Sequence, residues 1–259
     1  MKRIVSVFIL LTSLVSFAQQ EKIDVTYTSK IILPKDFSFQ SSGDGGRQMP
    51  KERQEEFIKS IQEPQEFTLT ILGDESVYKM IEKISNNQNQ GMRNPRGGSR
   101  MGMMDGDNVY KNTSTHHFLK EQNMMGKNYT IKDSLPNFDW KLTRETKIIL
   151  GNETKKATAI IDDITTTVWY IPSLKYKTGP EIFWGLPGLI AEVETEINRG
   201  PFKGKKIITL TNISTSTTVK ALEKPKDKHT ISQKEYNKLM NEQRKRFEEI
   251  RNSGVNKRE

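Results

Sequence analysis

The sequence predicts a mainly β protein, an antiparallel sheet with an early helix and a C-terminal helix. Most segments alternate apolar and polar residues with a period of two, as 22–33 and 66–72 do. Helical spacing occurs in two segments, near the start and at the end of the chain. Because strands and helices do not alternate along the chain, a parallel sheet of βαβ units is not expected.

Residues 1–18 have the pattern of a secretory signal peptide. Lys2 and Arg3 precede an apolar run that ends in a small-x-small site, Ser16-Phe17-Ala18. The run is too short to span a bilayer comfortably, so a membrane anchor is the weaker interpretation. We therefore expect export to the periplasm or to the periplasmic face of the outer membrane.

Composition limits the chemistry that the exported chain can use. Cysteine is absent, which excludes disulfides and thiolate metal sites. The formal net charge is +9, of which two charges leave with the signal peptide. A basic surface can attract nucleic acids or anionic membranes. Export makes nucleic acid an unexpected partner, which leaves simple solvation, or attraction to acidic headgroups or an acidic protein.

Residues 19–224 are predicted to form the β-rich domain. Gly73-Asp74-Glu75 predicts a hairpin turn, and the adjacent Asp162 and Asp163 are interpreted as a turn and not as an acid–base pair. The predicted strands are 22–33, 66–72, 76–84, 107–120, 127–132, 138–150, 153–161, 164–171, 188–197, 205–213 and 215–222.

Two helices are predicted, at 50–62 after Pro50 and at 232–251. The second begins with Ser232 and Glu235, which form the Ser-x-x-Glu capping box. Its apolar residues form a narrow stripe on a charged helix. Residues 225–259 are thus a linker and a helix that packs lightly on the domain or projects as an arm, with binding of a partner helix as the alternative.

Two stretches lack the pattern of packed structure. Residues 40–50 join the first strand to the first helix. Residues 86–108 are rich in Gly, Asn, Arg and Met and predict a long flexible loop.

The hexapeptide 185–190, Gly-Leu-Pro-Gly-Leu-Ile, predicts a type II turn followed by a strand. Pro187 fits the second turn position, and Gly188 would supply the positive φ of the third. Gly185 would allow a close backbone approach. In the following strand, odd positions from Leu189 form an apolar face and even positions a more acidic face. Since no side chain between 183 and 191 can transfer a proton or attack a carbonyl, we interpret this segment as structural.

The hexapeptide and its surroundings carry a family resemblance. Residues 168–194, "VWYIPSLKYKTGPEIFWGLPGLIAEVE", and residues 138–159, "FDWKLTRETKIILGNETKKATA", resemble the conserved series of the GLPGLI family of exported Bacteroidota proteins. Thr154 stands where members often have Cys, and Trp184 where many have Gly. The resemblance implies export and a curved sheet like the half-barrels of lipoprotein carriers. It implies no particular chemistry.

Motifs of known enzymes are absent. The sequence contains no Gly-x-Ser-x-Gly elbow, His-Glu-x-x-His, P-loop or dinucleotide fingerprint. We therefore expect no catalytic residues, no bound organic cofactor and no enzymatic activity, and a hydrolase without a signature is the least favoured class.

A group of methionines and histidines is the candidate metal site. Thioether and imidazole ligands suit Cu(I) in an exported protein without thiols. The alternative is that these methionines are incidental or fill gaps in packing. The candidate ligands are Met101, Met103, Met104, His116, His117, Met124 and Met125.

The sequence therefore favours an exported, non-enzymatic accessory or binding component of the cell envelope, associated with an outer-membrane complex. An apolar or peptide ligand would bind the concave face of the sheet, and the terminal helix would dock a protein partner or touch the membrane surface. The alternative is a periplasmic copper-handling protein.

Overall fold

The structure is a computed structural model that describes residues 21–35, 37, 50–81, 108–124, 126–199, 202–216, 221–226 and 229–255. The predicted fold class is confirmed, because these residues form one open sheet of twelve strands and two helices. The predicted signal peptide, and nearly all of the two stretches predicted as loops, lie outside the described residues.

Most consecutive strands form short hairpins, and longer connections lie at 33–50, 81–107, 172–188 and 217–229. The strands are β1 (Lys22–Ile32), β2 (Gln65–Leu72), β3 (Glu75–Met80), β4 (Asn108–Asn112), β5 (His117–Met124), β6 (Lys127–Ser134), β7 (Lys141–Ile149), β8 (Asn152–Ile161), β9 (Ile164–Ile171), β10 (Leu189–Arg199), β11 (Phe202–Ser216) and β12 (Thr230–Ile231). The helices are α1 (Lys51–Gln62) and α2 (Gln233–Val255).

The first strand lies in the middle of the sheet. The strand order is β12-β6-β5-β4-β3-β2-β1-β11-β10-β9-β8-β7. Tyr27 of β1 pairs with Phe67 of β2 on one side and with Leu210 of β11 on the other. These pairs are antiparallel, whereas the short β12 pairs with β6 in parallel. Two antiparallel halves are therefore joined through β1.

The single strand predicted at 107–120 is wrong, because the chain reverses within it. The side-chain Oδ1 of Asn112 accepts hydrogen bonds from the backbone N–H of Ser114 at 3.1 Å and of Thr115 at 2.9 Å. His116 then has a φ of 55°, and β5 begins at the next residue. An asparagine that bonds to the backbone two residues on is a turn device that period-two alternation does not reveal.

The two strands predicted at 205–213 and 215–222 are also wrong, because β11 runs unbroken from Phe202 to Ser216. A register shift at Thr26/Tyr27 in β1 lets the two strands stay paired along this length. A β-bulge of this kind absorbs the mismatch between two twisted strands.

Both predicted hairpin turns are confirmed. Asp162 and Asp163, with φ of 49° and 62°, connect β8 to β9. Positive φ at both positions is the geometry of the tight turn that fits twisted hairpins, and Asp tolerates it. Gly73, with a φ of 59°, begins the turn between β2 and β3.

The core lies on one face of the sheet, which we call the concave face. Alternate residues of β1 are buried there, and the ring of Phe67 stacks on Tyr78 with centroids 4.9 Å apart. Burying one such side chain contributes about 2 kcal/mol. Buried residues of this face include Val25, Tyr27, Leu69, Tyr78, Val109, Val168, Val193 and Ile208.

The helices pack at separate places on the sheet. In α1, Ile61 joins Ile31 and Leu33 in a small second core. The capping box of α2 is confirmed: the Ser232 N–H donates to Glu235 Oε2 at 2.8 Å, and the Glu235 N–H to Ser232 Oγ at 3.2 Å. Neither described helix is long and apolar enough to cross a bilayer.

Candidate functional site

Residues 172–188, which connect β9 to β10 and which we call the covering segment, lie against the concave face. Phe183 and Leu186 of this segment are buried in the main core. Thr178 Oγ1 lies 3.0 Å from Ser76 Oγ of β3, and both side chains are buried. This part of the concave face, where we expected an apolar or peptide ligand, is therefore covered by the chain itself.

The side chain of Lys111 in β4 connects the covering segment to the sheet through hydrogen bonds. Its Nζ donates hydrogen bonds to the carbonyl oxygens of Gly179 at 2.5 Å and Phe183 at 3.1 Å. Complete burial lowers the pKa of Lys111 to about 7, and the negative charge of Glu181 opposes this shift. Lys111 is thus a partly neutral amine near neutral pH, with two of its hydrogens bonded to the segment.

A partly buried ion pair also connects this segment to the sheet. Glu181, which has a φ of 49°, forms a salt bridge with Lys206 of β11. Three strands separate β4 from β11 in the sheet order. Side chains of both strands therefore contact residues 179–183, so the covering segment lies across the strands between them.

The two glycines of the hexapeptide 185–190 have the opposite roles to those predicted. Gly185 has a φ of 91°, whereas Gly188 lies outside the left-handed region, so the predicted type II turn geometry is wrong. A Cβ on Gly188 would lie 2.2 Å from the carbonyl oxygen of Ile171, and a Cβ on Gly185 would come no closer than 3.7 Å to Trp140 Nε1. Gly188 therefore permits close backbone packing, and Gly185 supplies the unusual φ.

The hexapeptide fixes the neighbouring residues 174–178 through its backbone. The N–H groups of Gly185, Leu189 and Ile190 donate to the carbonyl oxygens of Lys177 at 3.1 Å, Leu174 at 2.9 Å and Thr178 at 3.1 Å, respectively. The hydroxyl of Tyr27 donates to the Ile190 carbonyl oxygen at 2.6 Å. The hydrogen bonds of the hexapeptide are thus consistent with a structural role.

The predicted two-faced strand after the hexapeptide is wrong over its first half. Residues 189–193 are all buried, because a bulge between Ile190 and Glu192 shifts the register with β9. The Glu192 carboxylate is paired with Lys147 and accepts a hydrogen bond from Thr209 Oγ1 at 3.1 Å. A buried carboxylate needs such partners.

A polar cleft, which we call the rim cleft, opens where the covering segment meets two hairpin turns. Its volume is about 260 Å³. One wall is the β2–β3 turn, the second is the β4–β5 turn, and the third is the backbone that the hexapeptide fixes. The lining residues are Gly73, Asp74, Glu75, Ser76, Thr113, Ser114, Lys175, Tyr176, Lys177 and Thr178.

The groups that line the rim cleft are mostly hydroxyl and charged groups. Glu75 accepts hydrogen bonds from Lys224 Nζ at 2.8 Å and the Tyr110 hydroxyl at 2.5 Å. These bonds, the one from Lys224 foremost, lower the pKa of Glu75, which is therefore ionised and paired. Burial raises the pKa of Tyr176, so its hydroxyl keeps its proton. Ser76 and Thr178 add two hydroxyl groups at the buried side.

An aromatic pair lies beside the rim cleft. The ring of His116, in the β4–β5 turn, lies 5.1 Å from the ring of Trp184 in the covering segment. Trp184 Nε1 donates to the Pro136 carbonyl oxygen at 2.7 Å, and Trp140 Nε1 donates to the Trp184 carbonyl oxygen at 2.9 Å. The indole of Trp184 is therefore fixed in orientation.

The predicted copper ligands fall into three places. Met101, Met103, Met104 and Met125 lie outside the described residues. His116 and His117 are exposed at the start of β5, and Met124 is buried at its other end, roughly 23 Å away along an extended strand. Among the described residues, no group of three or more His, Asp or Glu side chains is arranged to bind a metal ion. Copper binding stays a prediction.

Sequence reasoning missed Lys111 and the rim cleft. A signal for Lys111 was present, since it lies two residues after Val109 in a strand and therefore on the core face. The cleft left no such signal, because its three walls come from separate parts of the chain.

The fold and the cleft together define an open β-sheet domain with a polar cleft at its rim. The family described as "N-glycanase peptide, N-terminal domain" matches residues 107–239, and the chain belongs to this family. The match extends from β4 to the first turns of α2 and includes the covering segment.

Solved structures of PNGF-II resemble the chain in fold. One in a C2 crystal form has a TM-score of 0.50 and 17% identity, and covers 85% of this chain and 32% of that protein. Another in a P21 form has a TM-score of 0.49 and 19% identity, and covers 85% and 33%. The chain thus spans about a third of the length of these structures. No curated protein matches it.

The expectation that the protein is not an enzyme is wrong as a statement about its class. The family to which the chain belongs is named for the N-terminal domain of N-glycanase, and N-glycanase is an enzyme. The enzyme motifs that we sought belong to other reaction classes, so their absence did not bear on this one.

Proposed function

We propose that this chain is the exported substrate-binding domain of an N-glycanase, and that the rim cleft binds the sugar part of a glycoprotein. The family match supplies the enzyme class, since an N-glycanase acts by name on nitrogen-linked glycans. Export follows from the predicted signal peptide, so the role of an exported binding component in the cell envelope is kept. Membership of the GLPGLI family also stays a proposal, based on residues 138–194.

The lining of the rim cleft is the observation that supports sugar binding. A sugar presents many hydroxyl groups, which donate and accept hydrogen bonds, and ring faces of C–H bonds, which pack on aromatic rings. The cleft offers the hydroxyls of Thr113 and Ser114, the carboxylate of Glu75 and the ring of Tyr176. A concave site with a few fixed polar groups is the usual form of a small-ligand site.

The fixed walls of the cleft add to this support. Thr113 donates from its N–H at 2.9 Å and its hydroxyl at 3.1 Å to the Asp74 carbonyl oxygen, which ties the two hairpin turns together. The third wall is fixed by the hexapeptide. A site that is already ordered loses less conformational entropy when its ligand binds.

Calorimetric titration of residues 19–259 with a glycopeptide tests the proposal. We expect binding of a peptide with one nitrogen-linked glycan and none of the same peptide without it. Tyr176→Ala should weaken binding about tenfold, because an aromatic surface for the sugar ring is lost. Tyr129→Ala, which removes a partly exposed tyrosine of β6, serves as the matched control. Equal affinity for the two peptides would overturn the proposal.

A further inference from the structure

We infer that the rim cleft selects glycans that carry an anionic group, a carboxylate, a sulfate or a phosphate, and that Lys175 and Lys177 recognise this group. The inference rests on the proposed function, since it assumes that the cleft binds sugar. It goes further by naming the chemical class of the glycan.

The two lysines are available to a ligand. They flank Tyr176 in one wall of the cleft, and both are exposed. In the part of the chain that the structure describes, neither ammonium group is within salt-bridge distance of a carboxylate. Other lysines have such partners: Lys206 pairs with Glu181, Lys147 with Glu192 and Lys205 with Glu194.

The acidic residues of the cleft leave a positive balance. Glu75 is paired with Lys224, so its charge is compensated locally. Asp74 is the other acidic residue of the lining, which also contains Lys175 and Lys177. The described lining together with Lys224 therefore carries one net positive charge, and the negative charge of Glu21 also acts on Tyr176 from outside the lining. The two exposed ammonium groups without a carboxylate partner, and not the net charge, are therefore what favours an anion.

The backbone between the two lysines is held in place. The carbonyl oxygen of Lys177 accepts a hydrogen bond from Gly185, and that of Leu174 accepts one from Leu189. Both lysine side chains can reorient while their Cα atoms stay fixed. The two ammonium groups therefore start from adjacent fixed positions, so one anionic group can contact both.

The expected size of the preference for an anionic glycan follows from the strength of exposed ion pairs. Each such pair contributes modestly, and two of them together should tighten binding of an anionic glycan about tenfold over its neutral counterpart. Because both lysines are exposed, salt should reduce this preference.

Titration of residues 19–259 with four peptides of the same length tests the inference. Three carry a nitrogen-linked glycan that is neutral, that ends in a carboxylated sugar, or that carries sulfate or phosphate, and the fourth is an unglycosylated acidic peptide. We expect about tenfold tighter binding of at least one anionic glycopeptide than of the neutral one. The two anionic glycopeptides distinguish carboxylate recognition from sulfate or phosphate recognition.

Variants separate the local effect from net charge. The double variant Lys175→Gln/Lys177→Gln should lose the anionic preference and keep its affinity for the neutral glycopeptide. Lys155→Gln/Lys203→Gln removes the same charge from exposed sites elsewhere and should keep the preference.

Equal binding of neutral and anionic glycopeptides would overturn the inference and leave the proposed function standing. Binding of no glycopeptide would overturn the proposed function itself. Binding of the acidic peptide as tightly as the anionic glycopeptides would also overturn the inference, because charge alone would then be recognised.

Discussion

Lysines at the covering segment lie in two environments, and the difference separates a structural role from ligand recognition. At the concave face, Lys111 is fully buried and donates to two carbonyl oxygens of the segment. At the rim, Lys175 and Lys177 are exposed beside a cleft. A buried polar group needs hydrogen-bond partners within the fold, whereas an exposed one can exchange its hydrogen bonds to water for hydrogen bonds to a ligand. We therefore expect changes at the two places to affect different measurements.

The largest expected effect is at the buried lysine. Lys111→Ala should lower the free energy of unfolding by about 4 kcal/mol, because two buried carbonyl oxygens lose their donor and a cavity forms. Urea denaturation measures this. Lys111→Met fills most of the volume without donating, so it should be destabilised less than the Ala variant. If Lys111→Ala is as stable as the parent, Lys111 is not what attaches the segment to the sheet.

The next effect concerns the hexapeptide. Gly188→Ala should lower the free energy of unfolding by about 3 kcal/mol, since its Cβ would overlap the backbone of Ile171. Gly185→Ala should cost only about 1 kcal/mol, because that site has room and the penalty is the positive φ alone. Thermal denaturation of the two variants compares them directly. The reverse order would contradict the roles assigned to the two glycines.

The buried lysine also predicts a pH dependence of stability. Its pKa is about 7 in the folded protein, against an ordinary lysine value of 10.5. Between these values the unfolded chain holds a proton that the folded protein has lost, so stability rises with pH, by about 1 kcal/mol per unit from pH 7 to 9. Lys111→Met should lack this rise. Urea titrations of both proteins at several pH values would show it, and parallel profiles would contradict it.

The smallest effect on stability is expected at the rim. Lys177→Gln should change the free energy of unfolding by less than about 0.5 kcal/mol, because its side chain is exposed. The same urea measurement applies. A larger loss of unfolding free energy would show that the Lys177 side chain stabilises the fold, as that of Lys111 does, so the two lysines would not differ in role.

Local patterns in the sequence were enough to locate most elements. Alternation placed β8 and β9 almost to the residue, and the Ser232–Glu235 box placed the start of α2. The period-two pattern did not reveal the turn at Asn112, because polar residues continue the pattern where the chain reverses direction. The central position of β1 was not predictable, because its pairing with β11 joins residues far apart in the chain.

The candidate site was predictable only in part. The hexapeptide was identified as structural, and it does fix a wall of the cleft through backbone bonds. Its two glycines were assigned the wrong tasks, since a glycine that avoids a clash and one that adopts positive φ look the same in a sequence. The cleft depends on three distant segments meeting, which one sequence without pairing information does not show.

The central position of β1 has a consequence for how the molecule forms. This strand is synthesised before the other strands of the sheet, yet its neighbour β11 ends at Ser216, so the middle of the sheet stays incomplete until residue 216 has been synthesised. Such distant pairing is slow to form. A truncation that removes β11 should therefore leave the two halves of the sheet without the pairing that joins them.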